Sequence, residues 1–149
     1  MANVQDILKS KGQNVYAVSL DDSIETALKL MSEKGIGAVV VMNGKIIAGI
    51  FSERDFARKT LTIDGFNLRM HVREVMSTPV YFIHPDQSIE ECMALMTEKR
   101  IRHIPVMIDE KLTGIISIRD VIKWLIADRS YEILELERFV SSKPQVGFD

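Results

Sequence analysis

Gly49-Ile50-Phe51-Ser52-Glu53-Arg54-Asp55 returns 65 residues later as Gly114-Ile115-Ile116-Ser117-Ile118-Arg119-Asp120. Gly, Ile, Ser, Arg and Asp hold the same places in both heptapeptides. At that offset residues 14–60 fall on residues 79–125 without a gap, with 18 identities in 47 positions. Val15-Tyr16 meets Val80-Tyr81, Ser23-Ile24-Glu25 meets Ser88-Ile89-Glu90, and Leu30-Met31 meets Leu95-Met96. A further match, Val4 to Leu8 against Val72 to Met76, lies across a three-residue gap. Two copies are too few for a solenoid. They predict two equivalent units packed about a pseudo-twofold axis, with two related clefts at their junction.

Both units have one grammar. A short helical turn opens each, at Val4 to Leu8 and at Val72 to Met76. Val15 to Val18 and Val80 to Ile83, rich in β-branched and aromatic residues, read as first strands. Asp21-Asp22-Ser23-Ile24-Glu25 and Asp86-Gln87-Ser88-Ile89-Glu90 are helix starts, with a capping oxygen followed by an early acid. The helix stripe Ile24, Ala27, Leu28, Met31 has the counterpart Ile89, Cys92, Met93, Met96. Two strands follow, Ala38 to Met42 and Ile46 to Phe51, matched by Ile104 to Ile108 and Leu112 to Ser117. Asn43-Gly44 signals a tight hairpin. Closing helices begin near Glu53 and Ile118. The fold class is therefore α+β, with two β-α-β-β-α units.

The expected divisions are 1–60 for the first unit, 61–71 for the linker and 72–127 for the second. Asp64-Gly65 is the linker's turn signal. Residues 128–149 form a C-terminal helical extension and tail. No Gly or Pro interrupts Ile118 to Ser141, and Trp124, Leu125, Ile133, Leu136, Phe139 and Val140 give a patchy apolar face. That extension covers the core or packs on another subunit, and the second is favoured.

A formal charge of −2 and a 46% hydrophobic content describe an ordinary globular chain with no basic excess for nucleic acid. Any anion site must come from local placement of charge. One cysteine, Cys92, leaves no intrachain disulfide framework or multi-cysteine zinc site, and suits a reducing compartment. Cys92 matches Ala27 on the buried stripe and reads as core. His71, His84 and His103 lack zinc-ligand spacing. The eight Met fall mostly at apolar positions. Tyr16 and Tyr81 read as strand packing, and Asp6 and Glu74 as surface charges. No signal sequence and no apolar run of about 18 residues is evident, so the expected place is the cytoplasm, with no membrane contact.

The duplicated corner admits two readings. Ser-x-x-Asp at a helix start is a capping-box variant, worth about 0.5–2 kcal/mol with no ligand involved. The same parts also suit a ribose phosphate. Free N–H groups at a helix start favour phosphate. Asp55 and Asp120 each have two acceptor oxygens for paired ribose hydroxyls. Arg54 and Arg119 supply forked donors, and Ser52 and Ser117 supply hydroxyls. Gly49 and Gly114 would let a ligand approach the backbone. The recurrence of the full set favours a ligand.

The duplicated units, each closing with Gly-x-x-Ser-x-x-Asp, resemble tandem CBS domains from Val4 to about Ala127. Ser52-Glu53-Arg54-Asp55 and the run Glu98 to Val106 are similar to small free-standing bacterial CBS-pair proteins. The resemblance implies a disc-like homodimer and regulatory binding of AMP, ADP, ATP, NAD or a related adenosyl ligand, read by a regulated partner protein. It places the ribose on Asp55 and Asp120. It places phosphates near Gly37 and Ala38 in one cleft, and near Arg102 and His103, with Ile104 beside them, in the other. It lines the adenine pocket with Thr78, Pro79 and Val80, or with Asn14 and Val15. Arg102 and His103 can donate to an anion where Gly37 and Ala38 cannot, so the second cleft is the better phosphate site. The roomier first cleft takes a bulkier ligand or none, with Arg58, Arg69, His71 and Arg73 near enough to compensate. For Arg102 and His103 the competing reading is a solvated helix end.

An enzyme reading finds little to stand on. There is no phosphate-loop motif and no visible nucleophile–base pairing. No catalytic cofactor or metal is expected. A ligand-free interaction module is the remaining alternative.

Overall fold

The computed structural model describes residues 2–128 and 137–139. The elements run α1 (Val4–Lys11), β1 (Ala17–Ser19), α2 (Ile24–Lys34), β2 (Ala38–Asn43), β3 (Ile46–Ser52) and α3 (Glu53–Lys59). The second repeat continues with α4 (Ile89–Lys99), β4 (His103–Ile108), β5 (Lys111–Ser117) and α5 (Ile118–Asp128). The expected helix beyond Asp128 lies outside the described residues, except for a helical turn at 137–139.

The helix starts form as their side chains dictate. Ser23 caps α2 through the Thr26 N–H, and Ser88 caps α4 in a reciprocal box with Glu91. Asp6 is no idle surface charge. It completes a capping box with Asn3 that satisfies two N–H groups at the start of α1. The antiparallel hairpins β2–β3 and β4–β5 share a register, pairing Ala38 with Ser52 and His103 with Ser117. Two-residue turns close both hairpins, at Gly44-Lys45 and at Asp109-Glu110.

The first strands differ between repeats. β1 pairs in parallel with β2 over three residues, Ala17 to Ser19. The expected strand Val80 to Ile83 contracts to a single bridge between Ile83 and Val106. Proline explains the difference. Val40 donates its N–H to the Tyr16 carbonyl at 3.2 Å, but the matching position in β4 is Pro105, which has no N–H to give to Tyr81.

Each core uses the same positions. The first joins Val18, Ile24, Ala27, Met31, Val39, Val41 and Phe51. The second joins Ile83, Ile89, Cys92, Met96, Ile104, Val106 and Ile116, the residues 65 further on. The opening segments are exchanged. Val4, Ile7 and Leu8 of α1 are buried in the second core, and Val72 and Val75 are buried in the first. Matching hydrogen bonds dock them, from Val4 N–H to Gln87 O (2.9 Å) and from Val72 N–H to Asp22 O (2.8 Å). The segment 61–71 turns at Gly65 and packs Phe66 edge-on to Phe56, with ring centroids 5.9 Å apart. A cut after residue 60 therefore separates the repeats in sequence without separating their cores.

The exchange also reassigns the glycines. A Cβ on Gly114 would stand 2.6 Å from Leu8 Cδ2, and one on Gly49 would stand 2.6 Å from Met76 Sδ. These glycines admit the other repeat's opening segment, not a ligand.

Candidate functional site

Both corners, β3 to α3 and β5 to α5, open into one cavity of about 980 Å³. That is near the upper end of the roughly 300–1,000 Å³ typical of small-molecule sites. The two expected clefts are thus continuous. Asp55, Ser52 and Arg54 line the cavity from the first repeat, with Gly37 and Ala38. Asp120, Ser117 and Arg119 line it from the second, with Arg102 and His103. Pro79, Val80 and Asn14 also face it.

Three expected residues do not line this space. Ile104 is buried in the second core, and Thr78 and Val15 lie outside the lining while their neighbours face it. Alternation along an extended chain explains Val15, between Asn14 and Tyr16. Two tyrosines read as packing do line the cavity, each under a lysine. Lys34 Nζ stands 5.3 Å from the Tyr16 ring centre, and Lys99 Nζ stands 5.1 Å from that of Tyr81. Of the proposed compensating cations, Arg58 lines the cavity. Arg69 and His71 line a separate hollow of about 350 Å³, and Arg73 pairs with Asp21.

The two corners are built alike. Ser52 N–H donates to Asp55 Oδ2 at 2.9 Å, and Asp55 N–H returns to Ser52 Oγ at 3.1 Å. Ser117 and Asp120 repeat this at 2.8 and 3.1 Å. The next amide donates across the cavity wall, Glu53 N–H to Gly37 O (3.0 Å) and Ile118 N–H to Arg102 O (2.8 Å). Three of the N–H groups at each corner are therefore already bonded within the protein. The expectation that free amides would hold a phosphate narrows to the Arg54 and Arg119 N–H groups, with the side-chain cations beside them.

The carboxylates differ. Asp55 is engaged on both oxygens. Ser52 Oγ–H donates to Oδ2 at 3.0 Å, Ser77 Oγ–H donates to Oδ1 at 2.6 Å, and Lys59 Nζ lies 3.9 Å from Oδ1. Asp120 accepts the Lys11 ammonium (2.6 Å) and the Ser117 N–H on Oδ2 alone. Among the described residues no hydrogen bond reaches its Oδ1. Burial pushes the Asp120 carboxyl up, but Lys11 and Ser117 together hold it below its ordinary value. It is an anion with one free acceptor. Sequence reasoning missed Lys11, Lys59 and Ser77, because all three reach the site through the exchanged segments or the end of α3.

Cations crowd the space. Six basic side chains line it (Lys11, Arg54, Arg58, Arg100, Arg102 and Arg119) against three carboxylates, in a chain of net charge −2. His103 is mostly enclosed and faces Gly37, where a Cβ would lie 3.6 Å from its Nε2. Burial, then Lys11 and Arg102, pull its imidazole below its ordinary value against the opposing pull of Asp120 and Asp55.

The CBS-domain family model matches residues 4–61 and again residues 72–127. The chain belongs to the CBS-domain family. As a tandem CBS protein it is 31% identical over 146 residues to the mitochondrial CBS domain-containing protein CBSX3 of Arabidopsis thaliana, covering 92% of this chain and 71% of that one. The structure of a CBS-domain protein from Burkholderia ambifaria MC40-6 is 47% identical, with a TM-score of 0.82, over 86% of this chain and 96% of that one. The CBS domain pair of protein MJ0100, in complex with 5′-methylthioadenosine and S-adenosyl-L-methionine, shares the fold at 21% identity. Its TM-score is 0.75, over 86% of this chain and 98% of that one. Among the described residues no cluster of His, Cys, Asp or Glu could hold a metal ion. No described helix is long and apolar enough to cross a membrane.

Proposed function

We propose that this CBS pair is a regulatory sensor of an adenine nucleotide (AMP, ADP, ATP or NAD), working as a cytoplasmic homodimer without catalysis. The ribose hydroxyls donate to Asp120 beside Ser117, phosphates meet Arg102, Arg119 and His103, and the base rests near Pro79 and Val80. Occupancy shifts the population of dimer states, and a regulated protein reads that shift. The observation that carries this reading is the free Oδ1 of an ionised Asp120 opening onto a cation-rich cavity. The adenosyl ligands of the MJ0100 pair support the ligand class.

Isothermal titration with AMP, ADP, ATP, NAD and S-adenosyl-L-methionine tests it. Saturable binding of one adenosyl compound, lost in Asp120→Ala, is expected. No heat from any of them at millimolar concentration would count against it. A ligand-free dimerisation or interaction module is the second reading, favoured by the complete engagement of Asp55. A melting temperature indifferent to every nucleotide would select it.

A further inference from the structure

The two exchanged opening segments are fastened to their host corners unequally. At the first corner Ser77 exchanges two backbone hydrogen bonds with Ile50, at 2.7 and 3.2 Å. Lys59 Nζ adds bonds to the Val75 and Met76 carbonyls, both at 2.9 Å. Gly12, 65 residues before Ser77, turns its N–H back to the Leu8 carbonyl within the last turn of α1. Gln13, Asn14 and Val15 make no hydrogen bond among the described residues. From Lys9 to Val15 the hydrogen bonds that reach β5 or α5 come from Lys11 alone, to the Ile115 carbonyl and to Asp120. The near end of α1 is fixed separately, by Val4 N–H on Gln87 O and Gln5 N–H on Pro85 O (3.0 Å). Residues 9–14 are exposed, and Lys11, Gly12, Asn14 and Tyr16 line the cavity.

The Lys11 contact is built to be lost. The two side chains keep 30% and 17% of their exposure, and ion pairs open to solvent are weak and screened by salt. Asp120 Oδ2 already accepts both the Lys11 ammonium and the Ser117 N–H. A vicinal diol can span a carboxylate with one hydroxyl on each oxygen. Entering at the open Oδ1, it brings a third donor to Oδ2, where about two have room. The corner fixes the Ser117 N–H, so the ammonium is the donor that gives way.

We propose that Lys11 is a releasable latch on residues 9–16, holding the end of α1 and the strap to β1 against the cavity while Asp120 is free and letting them go when a diol takes Asp120. This rests on the sensor reading and names its moving part. The strap that begins at Ser77 keeps its backbone bonds and stays in place. Coupling is reciprocal, so the latch opposes the ligand by the same factor by which the ligand loosens the latch.

The test is amide hydrogen exchange by NMR at Lys11 and Gly12 in the full chain, for the wild type and Lys11→Gln. Raising salt from about 20 to about 500 mM should speed wild-type exchange about two- to fivefold, the scale of a part-exposed ion pair. The same change of salt should do nothing in Lys11→Gln, whose exchange is already fast. Saturating AMP should speed wild-type exchange likewise, and 2′,3′-dideoxy-AMP, which lacks the diol, should not. Lys11→Gln should bind AMP more tightly by the same factor. The salt response of the wild type does not depend on how the variant folds. Wild-type exchange indifferent to salt overturns the latch. AMP that binds both forms equally, or binds Lys11→Gln more weakly, overturns the release and leaves the sensor reading intact. Failure of AMP to bind either form also overturns the release, and failure of every adenosyl compound removes the sensor reading with it.

Discussion

Lys11 Nζ lies 2.6 Å from Asp120 Oδ2, although the two residues are 109 apart in sequence. The same ammonium donates to the Ile115 carbonyl at 2.8 Å. The contact exists because α1 crosses into the second repeat's core, which brings its C-terminal turn to the β5–α5 corner. It holds Asp120 by one oxygen and leaves the other open. At the first corner Ser77 and Lys59 stand in the corresponding place against Asp55 Oδ1, while Ser52 holds Oδ2.

Asp120→Ala should therefore abolish nucleotide binding, while Asp55→Ala should weaken it less. Asp55→Ala removes a cap and the Ser77 and Lys59 contacts, so its main effect is a loss of about 1–3 kcal/mol of stability. Urea melts and titrations on both variants check this, and both should remain dimers by light scattering. Stronger damage to binding from Asp55→Ala reverses the ranking.

Arg100 caps α4 in the left-handed region at φ 55°, where the matching residue of α2 is Gly35 at φ 63°. A side chain there costs roughly 1 kcal/mol. Arg100 lines the cavity and Gly35 has no side chain to offer. Arg100→Gly should thus raise stability by about 0.5–1 kcal/mol while weakening phosphate binding severalfold. A variant that is both less stable and equally good at binding contradicts the placement.

Gly114→Ala places a methyl 2.6 Å from Leu8, which has no exposed surface into which to retreat. The expected cost is about 1–3 kcal/mol. Combining it with Leu8→Val should recover part of that, so that the two changes are non-additive in a double-mutant cycle. Strict additivity would mean that α1 does not sit against β5.

The repeat was readable because its signals are local. Capping oxygens at Ser23 and Ser88, turn residues at Asn43-Gly44 and the stripes on α2 and α4 each act within a few residues. The exchange of opening segments was not readable, because Val4, Ile7 and Leu8 fit either core equally well by pattern. For the same reason Gly49 and Gly114 looked like ligand approaches. The shortened first strand of the second repeat had a visible cause in Pro105, whose significance depends on which strand lies beside it. At the site the two acids and the arginines before them, Arg54 and Arg119, were legible from their duplication. Lys11, Ser77 and Lys59 were not, since they have no matching partners in the repeat register. Asp55 and Asp120 differ only through these side chains.

His103 faces Lys11 from α1, Asp120 from α5, Asp55 from α3 and its neighbour Arg102. Burial, Lys11 and Arg102 depress its folded value below the ordinary 6.5. The unfolded chain then binds more protons on acidification, so stability is present above 6.5 and falls as the pH drops through it. The slope is at most about 1.4 kcal/mol per pH unit. Chemical melts between pH 8 and 5 should show the fall, and His103→Gln should flatten it. A stability that rises on acidification would place His103 beside a dominant carboxylate.

The most direct test of the account is a crystal structure of the chain grown with ATP. The account predicts ribose hydroxyls within hydrogen-bond distance of Asp120 Oδ1, with Asp55 still closed by Ser77. A ribose seated on Asp55, or a nucleotide bound away from both acids, would contradict it.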